Sequence, residues 1–133
     1  MADEYSIEVA VDIMEIDFYR AKRYNTPMTI AIFESECMDV FMKQAEKSLR
    51  VTDIIQYIDK KRFIVIFGNT TADDSEIAIN KMIRNIKVDC QDRIHVGFSE
   101  VRKTDTSSKA TIMRAQAGLK LAKTPKSKNI VII

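Results

Sequence analysis

Cysteine is scarce in this sequence, and the little there is lies badly for a metal. Cys37 and Cys90 are far apart, and neither belongs to a C-x-x-C or to a Cys/His run of ligand spacing. They read as two reduced thiols, with no metal framework and no cofactor. Long apolar runs are missing as well: none approaches the roughly 20 residues of a membrane-spanning helix. The opening Met-Ala-Asp-Glu is acidic and lacks the apolar core of a signal peptide. No charge sign dominates, since the formal net charge is only +2. That is too small to argue for nucleic acid or a membrane surface, and neither is expected as a partner. Together these absences point to a cytoplasmic protein. Repeats and linker-like stretches are lacking too, so the 133 residues read as a single domain, 1–133.

What is present is an ordinary globular composition, 46% hydrophobic and 30% charged, enough to bury a core without staples. The chain is organised around residues 50–67, RVTDIIQYIDKKRFIVIF. Two apolar runs, 54–58 and 63–67, flank the polar residues Asp59, Lys60, Lys61 and Arg62, which predicts a β-hairpin. The second run is apolar at every position and is expected to be buried on both faces of a sheet.

Upstream, the periodicity predicts a helix over about 8–24 whose wide apolar face combines Val9, Ile13 and Ile16 with Val11, Met14, Phe18 and Ala21. Pro27 ends it. A buried strand over 28–33 runs into Glu34-Ser35-Glu36, and a helix over about 39–49 turns Val40, Phe41, Ala45 and Leu49 inward. Downstream, Asp73 and Glu76 have the spacing of a capping box, opening a helix that buries Ile77, Met82, Ile83 and Ile86. Ile94, Val96 and Phe98 alternate along a strand with His95 and Gly97 on its other face. Ser107 or Ser108 caps a last helix burying Ile112, Ala115, Leu119 and Ala122, and residues 130–133 form a final strand. The order α-β-α-β-β-α-β-α-β predicts an α/β sandwich around a mixed central sheet of about five strands.

Three segments, in order, carry a family resemblance. Ala21-Lys22-Arg23-Tyr24-Asn25-Thr26-Pro27 leads into the first strand. Ala115-Gln-Ala-Gly-Leu119-Lys-Leu-Ala122-Lys123 precedes a basic turn with Asn129, and Phe63 follows the hairpin tip. Over nearly the whole chain the sequence resembles the GGDEF domain of diguanylate cyclases. The resemblance implies a nucleotidyl cyclase-like sandwich and a role in cyclic di-GMP signalling in bacteria.

The departures are equally informative. At the signature tip, Asp59-Lys60-Lys61-Arg62-Phe63 stands in place of Gly-Gly-Asp/Glu-Glu-Phe. Family cyclases hold two divalent cations with the third signature residue and an acid at the end of the first strand. Glu34 has the second position and is a weak candidate ligand. Lys61 has the first, and an ammonium offers only donors and repels a cation. The family's paired glycines let backbone approach the nucleotide, whereas Asp59 and Lys60 add side chains there. The segment between Glu34 and Asp53 is too short for the family's helix–loop–helix, and no counterpart of its guanine-holding Asn and Asp is found. Cyclase activity is therefore not expected.

Arg50-Val-Thr-Asp53 has the spacing from the tip of the family's inhibitory site for cyclic di-GMP. An arginine fork suits a phosphate or a guanine edge, and a carboxylate accepts from guanine N1 and N2. The same pair also reads as a helix-end arginine and a capping aspartate that position the hairpin. Lys60, Lys61 and Arg62 read either as an anion site or as a solvated tip that resists edge pairing. His95 reads as a packed core histidine, and Glu34 as at most the salt-bridge partner of Lys61. Three functions compete: a non-catalytic module binding a protein partner or a second copy, a cyclic di-GMP receptor using Arg50 and Asp53, and a residual nucleotide cyclase or hydrolase dependent on Glu34.

Overall fold

The computed structural model describes residues 2–86, 90, 93–125 and 128–133, with residues 2–7 described by backbone alone. Lys126 and Ser127 of the basic turn lie outside the described residues. The elements are α1 (Ala2–Tyr24), β1 (Met28–Ser35), α2 (Met38–Ser48), β2 (Ile54–Tyr57), β3 (Arg62–Gly68), α3 (Ala72–Arg84), β4 (Ile94–Glu100), α4 (Ser108–Ala122) and β5 (Ile130–Ile132). The five strands form one mixed sheet in the order β2-β3-β1-β4-β5. β1 is antiparallel to both β3 and β4, β2 and β3 are the expected hairpin, and β5 joins parallel to β4.

Strand alternation divides the core into two layers. Ala31, Phe33, Phe63, Val65, Phe67, Ile94, Val96 and Phe98 meet α2 and α3 on one side. Ile30, Ile32, Ile64 and Ile66 meet α1 and α4 on the other. That is why residues 63–67 are apolar at every position: β3 has helices over both faces. Phe33 and Phe63, partners in the β1–β3 register, stack with centroids 4.8 Å apart, and Phe41 of α2 meets both edge-on. On the α4 side Gly97 has no space for a side chain. A Cβ there would stand 2.0 Å from Leu119 N and 2.2 Å from Ala115 O, so α4 rests on bare β4 backbone.

Several expectations need correction. The buried stripe of α1 is Ala10, Met14, Phe18 and Ala21, while Ile13 and Ile16 face outward, Ile16 with 66% of its surface exposed. Val40 is exposed and Met38 and Met42 are buried instead; Ile77 is 65% exposed and Ile79 takes the inward place. The cap of α3 is Thr71, whose hydroxyl accepts from Asp74 N at 3.2 Å, rather than an Asp73–Glu76 box. His95 is half-buried at a cleft mouth beside Glu34, Ser35, Glu36, Lys61 and Arg93, not a core residue.

The cysteines are not free thiols. Cys37 and Cys90 form a disulfide with Cα atoms 6.0 Å apart across a sequence separation of 53. Folding brings the start of α2 beside the segment after α3, a proximity that no local motif signals. Among the described residues no helix is long and apolar enough to cross a membrane.

Candidate functional site

The hairpin carries a candidate feature at each end. At its base, the loop after α2 turns so that the Asp53 carboxylate points inward, with 3% of the side chain exposed, while Arg50 stays 57% exposed. Asp53 accepts from Arg50 N at 3.0 Å and from Gly68 N at 3.3 Å, and meets the Arg50 guanidinium at 3.3 Å. Arg50 also donates to Gly68 O at 2.9 Å and to the Thr70 hydroxyl. The pair thus ties the entrance of β2 to the exit of β3. Arg50 and Asp53 are brought together as the spacing suggested, with the carboxylate taken up inside the chain and one side of the guanidinium left in solvent.

At the tip, Asp59 is the organiser. Its Oδ1 accepts from Lys61 N and Arg62 N, each at 2.9 Å, and its Oδ2 accepts from Arg62 Nη2 at 2.7 Å. Lys61 O in turn accepts from Ser35 N at 2.9 Å, fastening the tip to the end of β1. Arg62 is not the solvated residue expected: its side chain is 9% exposed, because it opens β3 opposite Glu34 in the ladder. Burial pushes the Asp59 carboxyl up, but the hydrogen bonds from Arg62 and the Lys61 backbone, with the Arg62 charge, outweigh that. Asp59 is held below the ordinary carboxylate value.

Glu34, Asp59, Lys60, Lys61 and Arg62 line one open cleft of about 530 Å³, whose far wall is Gln116, Leu119, Lys120 and Lys123 of α4 and its cap. Glu34 pairs with Lys123 at 2.8 Å, not with Lys61. Lys61 precedes the first ladder residue of β3 and is exposed, whereas α4 lies across β1 and β4 and delivers Lys123 to the strand end. The α4 wall was absent from the sequence reading of the site. Its only signal was Lys120 and Lys123 spaced one turn apart at a helix end. Gln116 Oε1 is buried in this wall with no hydrogen-bond partner among the described residues.

The donor set does not fit a pair of divalent cations. The one candidate ligand, Glu34, faces Arg62 in register and is already paired with Lys123, and Lys61 adds a further positive charge. Among the described residues no group of three or more His, Cys, Asp or Glu converges as a metal site. What the cleft offers instead is ammonium: Lys60, Lys61 and Lys120 make no side-chain hydrogen bond or ion pair among the described residues, beside the internally paired Asp59–Arg62 and Glu34–Lys123.

A deeper charged knot lies away from the cleft. Asp105, buried, accepts from Arg114 at 2.6 Å, from Arg102 N at 2.8 Å and from Thr111 Oγ1 at 2.7 Å. Burial pushes its carboxyl up, and these hydrogen bonds and the Arg114 charge overcome that and hold it well below the usual range. Lys22 Nζ donates to Asp105 O at 2.6 Å and Lys103 O at 2.7 Å, tying α1 into the knot. These bonds join α1, the loop after β4 and α4, and leave no carboxylate for chemistry.

No family model matches the chain, and no curated protein matches it. Solved structures do. The active GGEEF domain of a diguanylate cyclase from Vibrio cholerae superposes with a TM-score of 0.78 at 14% identity, covering 92% of each chain. The GGDEF domain of DgcB from Caulobacter crescentus, in complex with c-di-GMP, gives 0.77 at 12% identity, over 91% of this chain and 86% of that one. The diguanylate cyclase SiaD from Pseudomonas aeruginosa, in complex with its activator SiaC, gives 0.77 at 17% identity, over 95% of this chain and 57% of SiaD. The sandwich expected from the sequence is the one observed, and the chain has the fold of a GGDEF domain.

Proposed function

We propose that this domain is a non-catalytic GGDEF-like signalling module that acts by binding another protein. The observation that carries this reading is Glu34 held by Lys123 at 2.8 Å beside Lys61. Two-cation phosphoryl transfer needs carboxylates available to the metals, and here ammonium groups occupy that edge of the sheet. A protein partner is supported by SiaD, a protein containing this fold that binds its activator SiaC. Incubation with GTP or ATP and Mg²⁺ is expected to yield no cyclic dinucleotide and no hydrolysis product. Turnover that disappears in Glu34→Ala would overturn the non-catalytic reading. An inert monomer that retains no protein from lysate would count against the partner.

A second reading, a cyclic di-GMP receptor, is favoured by two observations. The neighbouring DgcB domain was crystallised with this ligand, and Arg50 keeps its guanidinium largely in solvent while Asp53 fixes it. Ligand at 100 times its Kd should stabilise the fold by about 2.7 kcal/mol. A thermal shift lost in Arg50→Ala supports this reading. A shift unchanged in Arg50→Ala and lost in Lys120→Ala moves the ligand to the lysine cleft, and no shift ends the receptor reading.

A further inference from the structure

We propose that the outward face of α4 docks an acidic amphipathic helix of another protein. This rests on the reading of the domain as a protein-binding module, and adds where the partner lies and what chemistry it brings. Charge is divided unevenly along the chain. Of 21 basic and 19 acidic side chains, residues 101–133 carry eight basic and one acidic, so the first 100 residues are net negative. The one acid, Asp105, is buried in the knot with Arg114, and α4 itself contains none. A net charge of +2 thus conceals a positive C-terminal quarter, which α4 presents.

The outward side of α4 also carries an apolar row. Met113, Ala117 and Leu121 stand four residues apart, all exposed, on the side away from the buried Ile112, Ala115 and Leu119. Ala117 is a notch between two larger side chains, where a second helix can seat a side chain. Lys109 begins the same row and Lys120 flanks its far end. Both are exposed, and neither makes a side-chain hydrogen bond or ion pair among the described residues. From Lys109 to Leu121 the row rises about 18 Å, room for some three turns of a partner helix.

Charge and row together choose the occupant. A nucleic acid would use the lysines and leave Met113 and Leu121 idle, and the row offers no aromatic side chain for bases to stack on. A bilayer would take the apolar groups, but two half-exposed side chains without an aromatic anchor bury too little. A helix with one apolar stripe edged by Asp or Glu matches both, setting its stripe over Met113 and Leu121 and its carboxylates toward Lys109 and Lys120. One such seam is a small interface, so the dissociation constant should be about micromolar or weaker.

Photo-crosslinking of the full chain in lysate of the source organism tests this. A photoreactive residue is placed at Met113 or Leu121 and, for comparison, at Tyr57 or Ile77, which are also exposed. The captured segment is sequenced by mass spectrometry, synthesised and titrated by fluorescence anisotropy. Crosslinks are expected from 113 and 121 rather than 57 and 77, into a segment with apolar residues at helical spacing beside Asp or Glu. Lys109→Glu and Leu121→Glu should each weaken the peptide about tenfold or more. Both positions are exposed, so the variants keep the folded core. Crosslinks from 57 or 77 that match those from 113 and 121 would overturn this face and leave the protein-binding module standing. No crosslink from any of the four would overturn both. A captured segment without acids, or an affinity unmoved by Lys109→Glu, would overturn the charge match. Crosslinks into residues 72–84 of this same chain would replace the partner with a second copy. Binding to phosphatidylglycerol vesicles or duplex DNA that both variants abolish would replace it with a membrane or a nucleic acid.

Discussion

The two ends of the β2–β3 hairpin use the same residues at the same spacing in opposite order. At the base, Arg50 and Asp53 bury the acid and leave the arginine out, 3% against 57% exposed. At the tip, Asp59 and Arg62 bury the arginine and leave the acid partly in solvent, 9% against 31%. The difference follows from where each residue meets the sheet. Asp53 turns inward to collect one backbone donor from its own loop and one from the far strand, while Arg62 is itself the first residue of a strand covered on both sides. An i,i+3 Arg/Asp pair therefore has no fixed meaning. Burial decides which member holds the backbone and which can be read by something outside.

The largest test of this contrast concerns what else holds the tip end of the sheet. The Cys37–Cys90 disulfide anchors the start of α2, just past the end of β1, across 53 residues. The chain-entropy model gives such a closure about 4 kcal/mol. Reduction should lower the denaturant midpoint accordingly and speed amide exchange at Lys61 and Arg62 while leaving Gly68 protected. Equal loosening at both ends would erase the distinction. Next, Asp53→Ala should cost about 2–3 kcal/mol in urea unfolding, since Arg50 N and Gly68 N lose their acceptor.

Asp59→Asn should cost about 1 kcal/mol at neutral pH. That difference depends on acidity. The folded carboxyl titrates below its ordinary value of 3.8, so its contribution is whole above that pH. It is lost as pH falls through the lower folded value. Wild type and variant should converge there in acid unfolding, and a constant gap down to low pH would show that the charge is irrelevant. The smallest effect expected is Arg50→Ala, below about 1 kcal/mol, because an exposed guanidinium gains little from its partner. A loss as large as that of Asp53→Ala would mean that both members of the base pair are structural.

Much of the fold was legible because period and burial agree. Residues 63–67, apolar at every position, form the covered strand expected, and Phe63 packs there with Phe33 and Phe41. Where sequence reading failed, the missing quantity was tertiary. α1 carries two apolar stripes, and nothing local says that the sheet takes the one through Met14 and Phe18. Val40 and Ile77 are apolar residues one step off the line that the packing selects. At the site, the hairpin residues were found and the helix wall was not. Local spacing pairs neighbours such as Asp59 and Arg62, whereas Glu34 meets Lys123 only after 89 residues of chain have wound back. The Cys37–Cys90 bond was hidden for the same reason.

Gly97 gives that last ion pair a mechanical origin. With no side chain between β4 and α4, and Gly118 lying 3.2 Å from Gly97 by its would-be Cβ, helix and strand touch backbone to backbone. The thickness of that contact, made at Ala115, Gly118 and Leu119, sets how far Lys123 at the same end of the helix reaches over Glu34. A single methyl at position 97 would act as a shim, lifting the α4 wall and prying the Lys123 ammonium off the acid. The electrostatics of the cleft are thus gauged by a residue that carries no charge and lines no part of it.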